Sequence, residues 1–138
     1  MIGAIIGDIV GSRFEFGAVP QKGFELFTPD CAYTDDTICT MAIADAVLNE
    51  RDYQESLLDW CRRYPDPMGG YGNRFYQWIN ADNPVPMNSF GNGSAMRVSP
   101  IGWLFDEWGD VIEEAKKSAM VTHNHPEGIK GAQCIAET

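Results

Sequence analysis

The apolar positions of this chain recur at helical spacing in most of its segments. Near the N-terminus, isoleucines and one valine occupy positions i, i+3, i+4, i+7 and i+8, which predicts a helix over residues 2–12. Gly3, Gly7 and Gly11 share a second face, although glycine disfavours a helix by about 1 kcal/mol relative to alanine. These three glycines, four residues apart, therefore predict that the backbone of another segment packs closely against this face. A buried β-strand is the alternative, because isoleucine is also common in strands.

The next two helical patterns lie in the middle of the chain. Residues 35–50 carry an apolar stripe that is interrupted only by Asp45. The stripe consists of Ile38, Met41, Ala42, Val47 and Leu48. Asp52 and Glu55 fit a capping box that begins a third helix. This helix should end before Pro65, because the residue that precedes a proline avoids helical geometry.

The second half of the chain predicts four further helical segments. A short one contains Trp78, and the next follows a glycine-rich stretch and is kinked or split by Pro100. Asp110 and Glu113 fit another capping box, and Pro126 suits the first turn of the last helix. With long connections between the helices and no internal repeat, the pattern predicts an all-α fold in a single domain.

The composition narrows the class of protein. The chain has 138 residues, of which 44% are hydrophobic, and this suffices for one domain with a buried core. The 20 acidic residues exceed the 10 Lys and Arg residues, giving a net charge of −10. Binding to nucleic acid needs clustered basic residues, so no nucleic-acid partner is expected. No apolar run approaches the roughly 18 residues of a membrane helix, so no membrane partner is expected.

The 4 cysteines lie far apart and form no Cys-x-x-Cys pair. Cys39, Cys61 and Cys134 fall in apolar helical patterns and are expected to be small buried residues. This distribution favours a reducing compartment over a disulfide framework. The N-terminus lacks the basic region of a signal peptide, and we expect a cytoplasmic protein.

Residues 33–37, Tyr-Thr-Asp-Asp-Thr, carry the clearest chemical signal. Two ionised carboxylates about 4 Å apart repel each other by roughly 4 kcal/mol at an effective dielectric constant of about 20. Thr34 is a suitable N-cap, which places Asp35 and Asp36 in a first helical turn, where the dipole favours negative charge. The pair could also face a cleft and bind a hard divalent cation, which prefers oxygen ligands. The two interpretations are compatible.

A second candidate is Glu15, on the long connection formed by residues 13–33. Its neighbours Phe14 and Phe16 would desolvate it and raise its pKa, as a general acid or base requires. The alternative is an exposed loop glutamate.

Residues 88–94 form a third candidate, in which glycines, amides and hydroxyls lead into a helical segment. Backbone N–H groups at a helix start bind anions, and glycine allows a phosphate to come close. The Walker lysine is missing, which excludes a P-loop, and a simple turn is the alternative. His123 and His125 precede the last helix, where they cap it or, with an aspartate of the 33–37 segment, bind zinc.

Four motifs, in this order, resemble the ADP-ribosylglycohydrolase family, which includes dinitrogenase reductase-activating glycohydrolase. They are Gly7-Asp8 through Glu15, the 33–37 segment, Ser89-Phe90-Gly91-Asn92-Gly93 through Pro100-Ile101, and Thr122-His123. The resemblance covers nearly the whole chain. It implies an all-α orthogonal helix bundle with two divalent metal ions, Mg²⁺ or Mn²⁺. It also implies hydrolysis of the glycosidic bond of an ADP-ribosylated protein or a small ADP-ribose conjugate.

The resemblance implies a role for each matching acidic or hydroxyl residue. Thr34, Asp35 and Asp36 look like metal ligands. Glu15, on the loop beside the metals, and Asp36 look like the catalytic residues. Asp8 is expected behind the metal ligands rather than among them.

The same resemblance implies a substrate-binding group. Its members are Ser89, Phe90, Gly91, Asn92, Gly93 and His123. The loop residues would contact the diphosphate and ribose, Phe90 would stack on adenine, and His123 would lie near the phosphates or the distal ribose.

One departure from the family qualifies the expected activity. Family members are generally longer and carry a second metal motif, of the Asp-x-Asp-Thr/Ser type, near the C-terminus. The last aspartate here is Asp110, so half of the metal ligands are expected to be missing. We therefore expect residues 1–138 to be the N-terminal part of such a domain, completed by further chain or by a partner chain, with self-association as one route. The alternative is a catalytically inactive relative that binds ADP-ribose or a nucleotide, or has a structural role.

Overall fold

The computed structural model describes residues 1–17 and 19–138, and its regular structure is helical. The helices are α1 (Ile2–Gly11), α2 (Asp35–Leu48), α3 (Tyr53–Arg63), α4 (Asn73–Ile79), α5 (Gly93–Met96), α6 (Ser99–Leu104), α7 (Trp108–Met120) and α8 (Pro126–Ala136), with a 3-10 turn at Ser12–Phe14. The described residues contain no strand and only an isolated bridge between Thr34 and Met68. The all-α prediction is confirmed, and the β-strand alternative for residues 2–12 is wrong.

The α2 helix lies at the centre of the fold, packed against α1, α3 and α6. The prediction of one apolar stripe is wrong, because side chains on several faces are buried. Cys39 and Ile43 lie outside the stripe but are fully buried, whereas Leu48, within it, is exposed. A helix that is surrounded by neighbours has no single apolar face. The first turn of α2 is therefore held in place from several sides.

Asp45, the polar residue in the α2 pattern, joins α2 to α3. Its carboxylate accepts hydrogen bonds from Trp60 Nε1 at 3.0 Å and Ser56 Oγ at 3.3 Å. It also forms an ion pair with Arg51 in the connection between the two helices. A carboxylate that is half-buried is stable there because each bond offsets its loss of water.

The α1 helix does not show the close backbone packing that its glycines predict. A Cβ atom added at Gly3, Gly7 or Gly11 would meet nothing within 4 Å. Ile2 and Ile6 are exposed as well. The prediction is wrong for this structure because α1 contacts α2 mainly near its C-terminal end, whereas the glycine face is open.

Most helix boundaries agree with the predicted caps. The Asp52 side chain accepts from the backbone N–H groups at N2 and N3 of α3, which confirms Asp52 as the N-cap, whereas the return bond of a capping box from Glu55 is not formed among the described residues. The predicted split is present: α5 ends at Met96, and α6 begins at Ser99 with Pro100 in its first turn. Pro126 begins α8, with His125 as the N-cap. The second capping box is wrong: α7 begins at Trp108, and Asp110 lies in its first turn. The helix dipole favours a carboxylate there without a capping bond.

The three cysteines that were predicted to be buried fall into two groups. Cys39 and Cys61 are fully buried, with their Sγ atoms 4.0 Å apart between α2 and α3. Cys134 is exposed, so its predicted burial is wrong, because it lies on the outer face of α8. Among the residues that the structure describes, no helix is long and apolar enough to cross a membrane.

Candidate active site

The first turn of α2 brings the predicted metal ligands together. Thr34 is the N-cap, in extended conformation, and its Oγ1 accepts a hydrogen bond from the Asp36 N–H at 3.2 Å. Asp35 and Asp36 follow as the first two helical residues, both half-buried. The capping interpretation is therefore confirmed, and both carboxylates also line cavities.

Asp8 of α1 holds this turn from behind. Its Oδ1 accepts from Thr34 Oγ1 at 2.6 Å, and its Oδ2 accepts from the backbone N–H groups of Thr34 and Thr37 at 3.0 and 3.3 Å and from the Thr37 hydroxyl. Both oxygens are thus occupied by donors, which fits a supporting place behind the ligands. The Thr34 hydroxyl is buried and keeps one lone pair beyond these bonds.

The acidic pair carries unbalanced negative charge. Burial raises the pKa of Asp35 to about 6, and repulsion from Asp36, Glu15 and Asp8 adds to the effect, although a backbone hydrogen bond opposes it. The pKa of Asp36 is raised by burial and then by repulsion from Asp8 and Glu15. A cation placed near the pair would lower both pKa values, because opposite charge favours the ionised form.

Asp35 and Asp36 open onto different cavities. Asp35 lines a cavity of about 390 Å³ that also contains the predicted substrate-binding loop. Its other lining residues include Ser89, Gly91, Asn92, Gly93, His123, Arg97 and Arg74. Asp36 lines a neighbouring cavity of about 450 Å³ with Glu15, Asp8 and Thr34. The start of α2 therefore separates a loop-lined cavity from an acidic one.

Glu15 follows the 3-10 turn and is exposed. Its aromatic neighbours do not enclose it: Phe14 packs edge-on against Phe24, with ring centroids 5.1 Å apart, and Phe16 is exposed. The expectation of a desolvated Glu15 is wrong for this reason, and the exposed alternative is correct. Its carboxylate nevertheless faces the acidic cavity next to Asp36.

The loop at residues 89–93 is held against the N-terminal side of α8. Ser89 Oγ accepts from the Gly91 N–H at 3.3 Å, and Ser94 Oγ donates to the Gly128 carbonyl at 2.8 Å. A Cβ at Gly93 would lie 3.0 Å from the His123 ring, so the loop and the ring are in close contact. Only a residue without a side chain fits there unless the ring shifts.

Phe90 is 72% exposed, at the rim rather than inside the loop-lined cavity. Its ring lies 5.5 Å from that of His125, at an interplanar angle of 60°. An exposed aromatic face at this place is free to stack on a planar ligand.

Two basic residues complete the loop-lined cavity. Arg97 is buried and donates to the Ser118 carbonyl and to Thr122. Arg74 of α4 lines the same cavity and donates to the Met87 carbonyl. Arg74 lies outside every motif and was therefore not predicted as a site residue. Its positive charge in an acidic chain is the one signal in the sequence that could have indicated it.

The donor atoms at the start of α2 agree with part of a metal site. Across residues 1–17 and 19–138, no group of three or more His, Cys, Asp and Glu side chains is arranged to hold a metal ion. The zinc alternative with His123 and His125 therefore finds no site in this part of the chain. The hard oxygen donors of Thr34, Asp35 and Asp36, with their unbalanced charge, fit one part of a Mg²⁺ or Mn²⁺ site.

Fold and site together define an all-α protein with an acidic helix start beside a glycine-lined cavity of about 390 Å³. The chain matches the ADP-ribosylglycohydrolase family over residues 1–138, and it belongs to that family.

Individual relatives agree with this assignment. The chain is 29% identical to the ADP-ribosylhydrolase ARH3 of Xenopus tropicalis, over 96% of this chain and 46% of that protein. It is 30% identical to ARH3 of Mus musculus, over 96% of this chain and 45% of that protein. It is also 30% identical to the uncharacterized protein YegU of Escherichia coli, over 75% of this chain and 36% of that protein. The chain thus spans about half the length of the ARH3 relatives.

Proposed function

We propose that this chain provides the ADP-ribose-binding side of a hydrolase that releases ADP-ribose from ADP-ribosylated proteins or small conjugates. The family membership supports the reaction class. The observation that carries the proposal is that Asp35 and the 89–93 loop line one cavity. A ligand bound there would meet glycine-rich backbone on one side and a carboxylate on the other.

The loop-lined cavity suits a diphosphate. Gly91 and Gly93 leave room for a phosphate to approach the backbone, where N–H groups favour negative charge. Arg74 and Arg97 supply positive charge in a chain that is otherwise strongly acidic. Together these groups would anchor the diphosphate and set the position of the distal ribose relative to Asp35.

The acidic cavity suits the cleavage step. Asp36 and the Thr34 hydroxyl in this cavity, with Asp35 on the other side of the first turn of α2, would hold the divalent ions that the family resemblance implies, and such ions polarise ribose oxygens when bound. Cleavage develops positive charge at the anomeric carbon, which nearby carboxylates stabilise. Glu15 is exposed and lies beside Asp36, so it is placed to accept a proton from water.

The test is Asp35→Asn, compared with Asp110→Asn on the exposed side of α7, in the full product of the gene. We expect the first variant to lose affinity for Mg²⁺ or Mn²⁺ and to lose release of ADP-ribose, because it removes a charged ligand. The second should match the native protein. Unchanged metal affinity and unchanged release in Asp35→Asn would overturn the proposal.

A non-catalytic ADP-ribose-binding relative is the second candidate. The observation that favours it is the lack, within the described ranges, of a complete metal-ligand group. Calorimetry of the 138-residue chain with ADP-ribose, with and without Mg²⁺, together with an assay of ADP-ribose release, separates the two candidates. Binding without release supports this second one. Self-association and a cytoplasmic location remain predictions.

A further inference from the structure

Three buried side chains form a hydrogen-bonded series that ends at the loop-lined cavity. Arg97, Thr122 and His123 are 1%, 0% and 6% exposed. A guanidinium nitrogen of Arg97 donates to Thr122 Oγ1 at 2.9 Å, and this hydroxyl lies 2.7 Å from His123 Nδ1. The same Arg97 nitrogen also donates to the Ser118 carbonyl at 3.0 Å. The series is therefore fixed at its inner end.

The direction of the hydrogen bonds follows from the chemistry of the first member. A guanidinium can only donate, so Thr122 Oγ1 must accept from Arg97. The hydroxyl has a single proton of its own, and among the described residues its remaining partner is His123 Nδ1. If Nδ1 also donated, the buried hydroxyl proton would have no acceptor, which is costly. The hydroxyl therefore donates to Nδ1.

We infer that Arg97 and Thr122 are positioning residues that fix His123 as the tautomer with its proton on Nε2, and that this N–H is a hydrogen-bond donor for an acceptor oxygen of the ligand. The identity of that ligand, the diphosphate or distal ribose of ADP-ribose, rests on the proposed function. The tautomer itself does not.

The position of Nε2 agrees with this role. Atoms added as Cβ at Gly93 and Gly91 would lie 3.1 and 3.9 Å from it, so this nitrogen borders the glycine loop. The ring lines the same cavity as Asp35. A donor at this point faces the place where a phosphate or ribose oxygen would lie.

The ring is neutral near pH 7. Burial, together with the positive charges of Arg97 and Arg74, lowers the pKa of His123 to about 4. Asp35 is the carboxylate that lines the same cavity. A neutral imidazole has one donor and one acceptor nitrogen, so the partner of Nδ1 decides which nitrogen serves the ligand.

The first test needs no ligand. A two-bond ¹H–¹⁵N correlation spectrum of the labelled 138-residue chain at pH 7.5, in EDTA, reports the protonation of each ring nitrogen. The chain has 2 histidines, so the assignment needs only His125→Gln. We expect His123 Nδ1 to be unprotonated and Nε2 to carry the proton. A proton on Nδ1 would overturn the inference.

The second test compares Thr122→Val with Thr122→Ser. The valine variant keeps the shape but removes the hydroxyl, so His123 should show a mixture of tautomers and a raised pKa. ADP-ribose affinity should fall about fivefold, the value of one ordinary hydrogen bond. Serine restores the hydroxyl and should restore both the spectrum and the affinity. A native spectrum in the valine variant would contradict the inference.

The two proposals fail differently. If the native chain shows the expected tautomer but ADP-ribose binds without shifting the Nε2 resonance, the donor role is wrong. If ADP-ribose does not bind the native protein at all while the tautomer is as expected, the hydrogen-bonded series is supported and the proposed function is wrong.

Discussion

At the scale of single residues, the first turn of α2 combines two roles that are often separate. Thr34 caps the helix and Asp8 supports the cap, so the backbone N–H groups of Thr34, Asp36 and Thr37 are bonded without the carboxylates of Asp35 and Asp36. The cap of α2 therefore does not depend on these two carboxylates. They remain close to each other and to Glu15, and their charge is not offset by a basic partner.

The raised pKa of Asp35 predicts that ionisation of this carboxyl group lowers the free energy of unfolding. The folded pKa of about 6 exceeds the ordinary value of 3.8, so the folded chain binds more protons than the unfolded chain between these limits. Stability then falls as the pH rises through this range. Asp35→Asn should remove the loss and stabilise the metal-free chain at pH 7.5 by on the order of 1 kcal/mol after solvent screening, but hardly at pH 4.

Urea denaturation in EDTA at several pH values measures this gain, and Asp110→Asn is the control. The contribution of His123, which acts in the opposite direction, is shared by variant and native chain and cancels in the difference. A gain that does not depend on pH would show that Asp35 is not desolvated.

A second residue-scale prediction concerns the contact between the loop and the ring. In Gly93→Ala the new Cβ would lie 3.0 Å from His123 Cε1, so the ring must shift into the cavity. We expect ADP-ribose affinity to fall roughly tenfold with little change in melting temperature. Gly109→Ala, where nothing lies within 4 Å, should keep native affinity. Equal affinities in the two variants, measured by calorimetry, would contradict the observed contact.

At the scale of elements, the sequence predicted most of the helix boundaries. It did not predict which helix faces are exposed. The helix starts at Asp52 and Pro126 and the break at Pro100 depend on neighbours along the chain, which the sequence contains. The burial of several sides of α2 and the open glycine face of α1 depend on which helices pack together. The local periodicity of apolar residues does not show which helices pack together.

The link between α1 and α2 makes an element-scale prediction. Asp8→Asn replaces an acceptor oxygen with an amide that faces hydrogen-bond donors at the start of α2. We expect a loss of about 1–3 kcal/mol in the free energy of unfolding. Asp66→Asn, on an exposed connection, should cost little. Denaturation curves in urea measure both, and similar losses would show that Asp8 does not hold the turn.

At the scale of the whole molecule, the motifs were easier to predict than their arrangement. The sequence indicated Asp35, Asp36, Glu15 and the 89–93 loop as site residues from their chemistry. The division of the two aspartates between neighbouring cavities, and the presence of Arg74 from α4, follow from the packing of distant segments. The ligand roles themselves remain predictions.

The shared cavity of Asp35 and the loop predicts cooperation between ion and nucleotide. A ligand at 100 times its dissociation constant stabilises a protein by about 2.7 kcal/mol. Because a divalent ion at Asp35 would reduce the repulsion of a diphosphate, Mg²⁺ and ADP-ribose together should raise the melting temperature by more than the sum of their separate effects. Thermal melts with each ligand alone and with both measure this, and simple additivity would contradict a common site.

The separate cavities that Asp35 and Asp36 line have a consequence for how such proteins diversify. Successive helical positions are rotated by about 100°, so the adjacent side chains at positions 35 and 36 face different surroundings. Under the proposed function, an inherited change at position 35 would affect both the metal site and the ligand in the loop-lined cavity, whereas a change at position 36 would act on the acidic cavity. Selection at position 35 would therefore act on recognition and chemistry together.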